Sequence, residues 1–478
     1  MTRTLLTDGT ILTMDPDHGV LEDADLLIED GTIAAVGHDL DRSGAEVIDA
    51  SDRLVLPGLV NSHAHLFQTG VRGVAGDWTL GDYFAKMLGT YREYYEPEDV
   101  YLGNLFGALE QLNAGVTSVL DWCHVINTPD HADRAVDALI DSGIRGVYCY
   151  GTPGINGDEW FGNSTLTHPE DAQRMHEERM PANDGRVTMG LAIRGPDQST
   201  YEVTTHDIEL ARELGVPVSM HIGVAAYEGP SDHDVPKMAD DGLLGPDVNF
   251  VHANHLSEDM YDILAEEGVS LSTTPEVEMQ MGHGLPATGK MFEAGGRLVL
   301  GSDVVSDIGS DMFTPMRFAL QTQRGLDNAE AIDRGEPLES LPMDCRDVLE
   351  AATIEGARAL RLHEEVGSLT PGKRADVITI RTDDVNTAPV HDPFATVVLH
   401  AEPANVDNVF VDGELLKADG ELPHHCLQSA STTSSRQAND SSARRNPTTK
   451  ERVIVDAGNL VSVKAWSEAQ RFGPINHA

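Results

Sequence analysis

The strongest limit on how this chain folds is a rhythm in its middle. Short runs rich in β-branched and aliphatic residues recur at 54–60, 116–120, 144–150, 187–193, 216–220, 248–251, 269–273 and 298–300. Most are announced by glycine and preceded by a stretch of helical amphipathicity. In 98–113, Leu102, Leu105, Phe106, Leu109 and Leu112 fall on one helical face, and Ser257-Glu258-Asp259 reads as an N-cap and acidic first turn before Met260, Ile263 and Leu264. Parallel strands need long crossovers, usually helices. Eight such units in about 250 residues is the span of a (β/α)8 TIM barrel, an α/β fold.

The flanks have a different texture. Apolar runs at 4–13, 24–29 and 32–36 are broken by the turn pairs Asp8-Gly9, Asp15-Pro16 and Asp30-Gly31, and short β-like runs return at 376–380, 395–399 and 406–411 before Asp412-Gly413. This pattern predicts a composite β-sandwich domain built from both chain ends, residues 1–56 plus 365–422, around a barrel at 57–364. Residues 423–450 include a Ser/Thr/Asn-rich stretch nearly free of large apolar side chains and read as a flexible linker, with a tail of unassigned role at 451–478.

Charge narrows the partners. The 478 residues carry 79 Asp+Glu against 33 Lys+Arg, a formal net charge of −46 spread along the whole chain. A nucleic-acid binder needs the opposite sign to neutralise phosphate. Self-repulsion on this scale is relieved by screening, so the composition predicts a halophilic protein adapted to molar salt. No apolar stretch approaches the ~18 residues of a membrane span. The first residues, Met1 to Asp8, lack the apolar region of a signal peptide, so the expected compartment is cytoplasmic. The four cysteines, Cys123, Cys149, Cys345 and Cys426, form no CxxC pair and read as reduced and scattered.

Barrel enzymes carry their reactive groups at the C-terminal ends of the strands. Those ends offer His63 and His65, Asp121, Arg194, His221, His252, the Thr274-Pro275-Glu276 segment and Asp303 in order. His63-Ala64-His65 puts two imidazoles at i and i+2, on one side of an extended strand. With His221 and Asp303 they make a candidate set of N/O ligands for one divalent metal ion, Zn2+ first and Fe2+ second.

Five segments then resemble the amidohydrolase superfamily: LPGLVNSHAHLFQT (56–69), VPVSMHI (216–222), FVHANHLSEDM (250–260), LVLGSDVVSDIGSDMFTPMR (298–317) and EAATIEGARALRLHEEVGSLTPGKRADVITI (350–380). The nearest branch is that of triazine hydrolases, cytosine deaminase-like enzymes and methylthioadenosine/S-adenosylhomocysteine deaminases. The resemblance runs in order over roughly residues 1–420. It implies a mononuclear metal held by His63, His65, His221 and Asp303, with His252 touching the water or the substrate. Gln68 lies where the family's first loop faces substrate and could hydrogen-bond a heterocycle; Trp78 in that loop reads as packing. Barrels of this family often self-associate, so a homo-oligomer is an open option, without an interface signature in the sequence.

The departures matter as much. The branch's deaminases have a Glu three residues after the strand-five His, where this chain reads His221-Ile222-Gly223-Val224. Their "GPH" becomes Gly195-Pro196-Asp197, and their "PxSNxKL" becomes Pro275-Glu276-Val277-Glu278-Met279-Gln280-Met281. Either Glu278, or less readily Glu276, replaces the lost carboxylate, or Asp303 is the sole base, as in hydrolases of amides and cyclic amides. The expected function is metal-dependent hydrolysis of a non-peptide carbon–nitrogen bond in a small cyclic or heteroaromatic compound, deaminase-like, with Asp303, His252 and Glu278 as catalytic candidates. Dechlorination and a catalytically retired metal-binding homologue are the alternatives.

Overall fold

The computed structural model describes residues 2–224 and 234–422. The linker and tail expected at 423–478, and with them Cys426, lie outside the described residues. The N-terminal flank forms β1 (Arg3–Leu12), β2 (Val20–Glu29), β3 (Thr32–Gly37), β4 (Glu46–Asp49) and β5 (Arg53–Pro57). The middle forms β6 (Leu59–Ala64), β7 (Val116–Cys123), β8 (Arg145–Tyr150), β9 (Val187–Ile193), β10 (Val218–Ile222), β11 (Val248–His252), β12 (Ser270–Thr273) and β13 (Arg297–Leu300). After the barrel come β14 (Val377–Arg381), β15 (Val406–Val411) and β16 (Glu414–Lys417).

These strands sort into two sheets. β6 to β13 pair in chain order, every ladder parallel. β14, β15 and β16 join β5, β1, β2 and β3 in the second sheet, with β4 beside β1. The two chain ends therefore share one mostly antiparallel sheet. Burial follows from this: β7 and β8 are buried at every residue, as strands covered on both faces must be. β2 is exposed at Val20, Glu22, Asp23 and Glu29 and buried from Ala24 to Ile28.

Two elements differ from expectation. The run 54–60 spans both sheets: residues up to Pro57 pair with β14, and the barrel's first strand begins only at Leu59. His63 consequently lies inside that strand. The run 395–399 is helical, continuing from Pro393–Ala395. There the Asp392 side chain accepts from Ala395 N–H (3.0 Å) and Pro393 sits in the first turn, so an N-cap starts a helix. Burial of Thr396, Val397 and Val398 then outweighs their β-propensity. The short strands β4 and β16 escape a reading by apolar runs because each has four residues, half of them charged.

The barrel closes without a regular ladder between β13 and β6. His65 N–H donates to Asp303 O (2.9 Å) and Asp303 N–H to His63 O (3.0 Å). Deeper in, Ser62 Oγ donates to Leu300 O (2.7 Å) and Asn61 Nδ2 to Ser302 Oγ (2.7 Å). Gly301 permits this approach, since a Cβ there would stand 2.8 Å from His63 O and 2.9 Å from His63 Cβ. The closing seam thus carries three of the candidate metal ligands.

The sheets are pinned by ions. Buried Arg145, the first residue of β8, reaches Asp376 (2.9 Å) beside β14 and Asp412 (2.6 Å) after β15. No helix among the described residues is long and apolar enough to cross a membrane.

Candidate metal centre

His63, within β6, and His65, the residue just past its end, both bring Nε2 to the Asp303 carboxylate. His63 Nε2 stands 3.3 Å from His221 Nε2 on β10 and 3.4 Å from Asp303 Oδ1. His65 Nε2 lies 3.3 Å from the same Asp303 oxygen. His252, the last residue of β11, brings its Nε2 to 3.8 Å from Asp303 Oδ2. All the sequence-derived ligand candidates therefore meet at one point.

Backbone strain helps to aim two of them. Asp303 and His252 sit in the left-handed region, at φ 61° and 73°. That conformation is uncommon for a non-glycine residue and is held only where surroundings over-determine it. For Asp303 the two backbone bonds to β6 do so, turning its carboxylate to the barrel axis.

The electrostatics suit an ion. Burial pushes the His63 imidazole down to about 3 and His252 to about 4, and holds His221 well below its ordinary value. These rings are neutral at pH 7, the state a ligand needs. Burial alone would raise the Asp303 carboxyl, yet the His63 and His65 rings beside it outweigh that and keep the group well below its usual range. His65 Nδ1–H donates to Trp122 O (2.7 Å), which fixes the tautomer that presents Nε2 to the centre. Three imidazoles and one carboxylate converging through their lone pairs fit one borderline divalent ion.

A cavity opens onto the centre. Leu80, Tyr83, Phe84, Leu88, Trp122 and Phe161 supply much of its apolar wall. Val224, three residues past His221, also lines it, so an isopropyl group occupies the wall where the related deaminases carry Glu. Asp197, in the place of the family's His, accepts from Gly223 N–H (2.7 Å) and ties down the backbone behind His221.

The remaining candidates take supporting places. Glu278 is fully buried behind His252: its Oε1 accepts from Thr274 N–H (2.8 Å) and lies 3.2 Å from His252 Nδ1. Burial raises its carboxyl to about 7. It is not in the cavity wall, nor is Glu276. Gln68 is fully buried, its amide joined to Tyr83 OH (2.6 Å) and Ser306 Oγ (2.6 Å), so it braces the tyrosine that lines the cavity. Trp78 packs against Tyr91 and Lys86. Asp121 accepts from Leu66 N–H (3.1 Å) and Asn104 Nδ2 (2.6 Å), bracing the loop after His65. Arg194 does reach the cavity wall.

Sequence reasoning missed Tyr83, His124 and His283 in that wall. His124, just past the end of β7, was open to the strand-end rule. His283 had a fainter signal, a histidine between two glycines, Gly282 and Gly284.

Known proteins give the same frame. Residues 54–416 match the model of the amidohydrolase family. A 5'-deoxyadenosine deaminase of Methanosarcina barkeri is 29% identical over 426 residues, 88% of this chain and 94% of its own. A 5-methylthioadenosine/S-adenosylhomocysteine deaminase of Symbiobacterium thermophilum is 30% identical over 438 residues, 88% of this chain and 94% of its own. Among solved structures, an adenosine deaminase from Xanthomonas campestris with bound zinc superposes with TM-score 0.75 at 23% identity, covering 92% of this chain and 98% of that one. Atrazine chlorohydrolase from Arthrobacter aurescens complexed with zinc gives 0.77 at 24% identity, covering 90% and 99%.

Proposed function

The chain belongs to the amidohydrolase family, and on that premise we propose that it releases ammonia hydrolytically from an amino-substituted nitrogen heterocycle, with 6-aminopurine nucleosides as the first class to test. It is a metal-dependent hydrolase of carbon–nitrogen bonds other than peptide bonds. The observation that carries the reading is the meeting of His63, His65, His221 and Asp303 beside a cavity with aromatic walls. Flat aromatic walls suit a flat ring.

Zinc is the proposed ion, with ferrous iron second; when bound it supplies Lewis acidity and brings the pKa of water to about 7. Asp303 takes a proton from the attacking water. His252, held at Nδ1 by Glu278 and Thr274, turns Nε2 toward the Asp303 carboxylate and the reacting atoms. There it opposes developing negative charge, with Glu278 behind it to balance an imidazolium. Trp122 and Phe161 flank the substrate, and Tyr83, braced by Gln68, offers its hydroxyl at the rim. A second reading rests on Val224: with no carboxylate three residues after His221, Asp303 serves as sole base and the substrate is a cyclic amide.

Ammonia release from purine nucleosides, aminopyrimidines, aminotriazines and cyclic amides by metal-loaded protein in molar KCl tests the proposal. Purine nucleosides are expected to lead, and opening of cyclic amides without ammonia release selects the second reading. Asp303→Asn should lower kcat by about 10²–10⁴ with KM nearly unchanged. Near-normal turnover in that variant, or pure wild type without stoichiometric transition metal, defeats both readings.

A further inference from the structure

Resting on the ammonia-releasing reading, we infer that His283 is the residue that hands the proton to the departing nitrogen. The resemblance places a Glu three residues after the strand-five histidine, a proton shuttle to a ring nitrogen; Val224 stands there here, so proton traffic at this site needs another carrier. Among the described residues in the cavity wall, His283 is built for it. It is 4% exposed, lines the cavity, and neither ring nitrogen has a hydrogen-bond partner. A buried imidazole unpaired within its own protein is uncommon. Its ring stands edge-on to His252, 4.8 Å between centroids, and His252 in turn neighbours Asp303.

The loop is shaped to present this ring. Helix Pro275–Met281 ends at Gly282, φ 85°, and Gly284 follows His283 at φ 133°, a conformation essentially reserved for glycine. His283 N–H donates to Glu278 O (2.9 Å), its carbonyl pairs with His255 Nε2, and Asn254 Nδ2 holds Leu285 O (2.9 Å). The backbone is fixed on both sides while the ring is left free. Burial moves the ring down to about 4, so it waits neutral, with one nitrogen open to accept. His124 is similarly unpaired, but its ring packs 4.4 Å from His65 and belongs to the metal-ligand wall.

The step balances. Water oxygen bonds to the ring carbon as the C=N π pair shifts to the ring nitrogen, and the water loses one proton to Asp303. The proton crosses the cavity that Asp303 and His283 both line to the free nitrogen of His283, which delivers it to the amino nitrogen. The ring-nitrogen pair then restores the C=N bond as the exocyclic C–N bond breaks, its electron pair leaving with nitrogen as ammonia, and the second water proton stays on the product. A chloride leaving group needs no such proton.

The test compares 5'-deoxyadenosine with its counterpart bearing chlorine in place of the amino group. Wild type, H283Q and H283N are assayed, two variants so that a folding defect in one does not decide the matter, with metal content and Tm measured beside. In both variants the ratio of amine to chloride kcat should fall about 100-fold or more, the scale of general acid catalysis, at wild-type metal content. An unchanged ratio, whether both rates drop together or neither does, overturns the inference and leaves His283 a structural residue. Release of neither leaving group by wild type instead removes the function reading on this substrate class, and the inference with it.

Discussion

Glu278→Gln separates the electrostatics of the site from its packing. Glu278 is buried, its Oε1 serves Thr274 and His252, and its Oε2 accepts no hydrogen bond. Asn254 tempers the carboxyl without replacing water, and burial lifts it from its ordinary 4.5 to about 7. Glutamine keeps the shape, the acceptor for Thr274 N–H and a polar group toward His252, but cannot ionise. Between pH 4.5 and about 7 the native protein holds a proton that the unfolded chain has released, so wild-type stability falls as pH rises through that window. At about 1.4 kcal/mol per pH unit the full loss is on the order of 3 kcal/mol. Glu276, also lifted to about 7, and Asp121 and Asp307, lifted to about 6, titrate in both proteins and cancel in the comparison. Urea unfolding of metal-loaded wild type and variant at pH 5 and pH 8, in equal KCl, should therefore show the glutamine variant gaining about 3 kcal/mol relative to wild type at the higher pH. Parallel pH profiles would refute the reasoning, because a carboxylate ionised at both pH values contributes no such slope.

Two further perturbations address the scaffold. Arg145→Met leaves Asp376 and Asp412 facing each other without the guanidinium that joins β8 to the second sheet. A loss of about 3–5 kcal/mol in urea unfolding is expected, and a loss below about 1 kcal/mol would mean that water reaches the pair. The net charge of −46 predicts that Tm climbs as KCl rises from about 0.1 M to about 2 M, where screening lengths shrink to a few ångström. A flat or falling Tm in a calorimetric series removes the halophilic reading.

What was legible in the sequence shared one property: it followed from local periodicity. The barrel strands and the i, i+2 pair His63 and His65 are visible because a strand alternates its faces whatever surrounds it. His221 and His252 are visible because barrel chemistry gathers at strand ends. The misread pieces turn on tertiary facts. Pro57-Gly58 passes the chain from one sheet to the other within a continuous apolar run, so nothing local marks the change. Thr396 to Leu399 reads as strand by composition, and only the Asp392 cap and the core contacts decide for helix. Gln68 and Glu278 stand in the right segments, yet each turns to brace a neighbour, which depends on side-chain direction rather than spacing.

The two departures at the mouth of the barrel form one rearrangement. Asp197 uses its carboxylate on Gly223 N–H, fixing the turn in which Val224 faces the cavity. An isopropyl group there can bind a flat apolar edge but cannot move a proton. On the other side, the helix after β12 buries Glu278 against His252, and the glycines that end it bring His283 into the cavity. A site that lost its strand-five carboxylate alone would keep water activation and lose a proton shuttle to the substrate. Among the described residues, His283 and Glu278 stand on the strand-seven side, beside the His252 ring that already neighbours Asp303. Their placement makes proton delivery from the strand-seven side the consequence of a hydrophobic strand-five side.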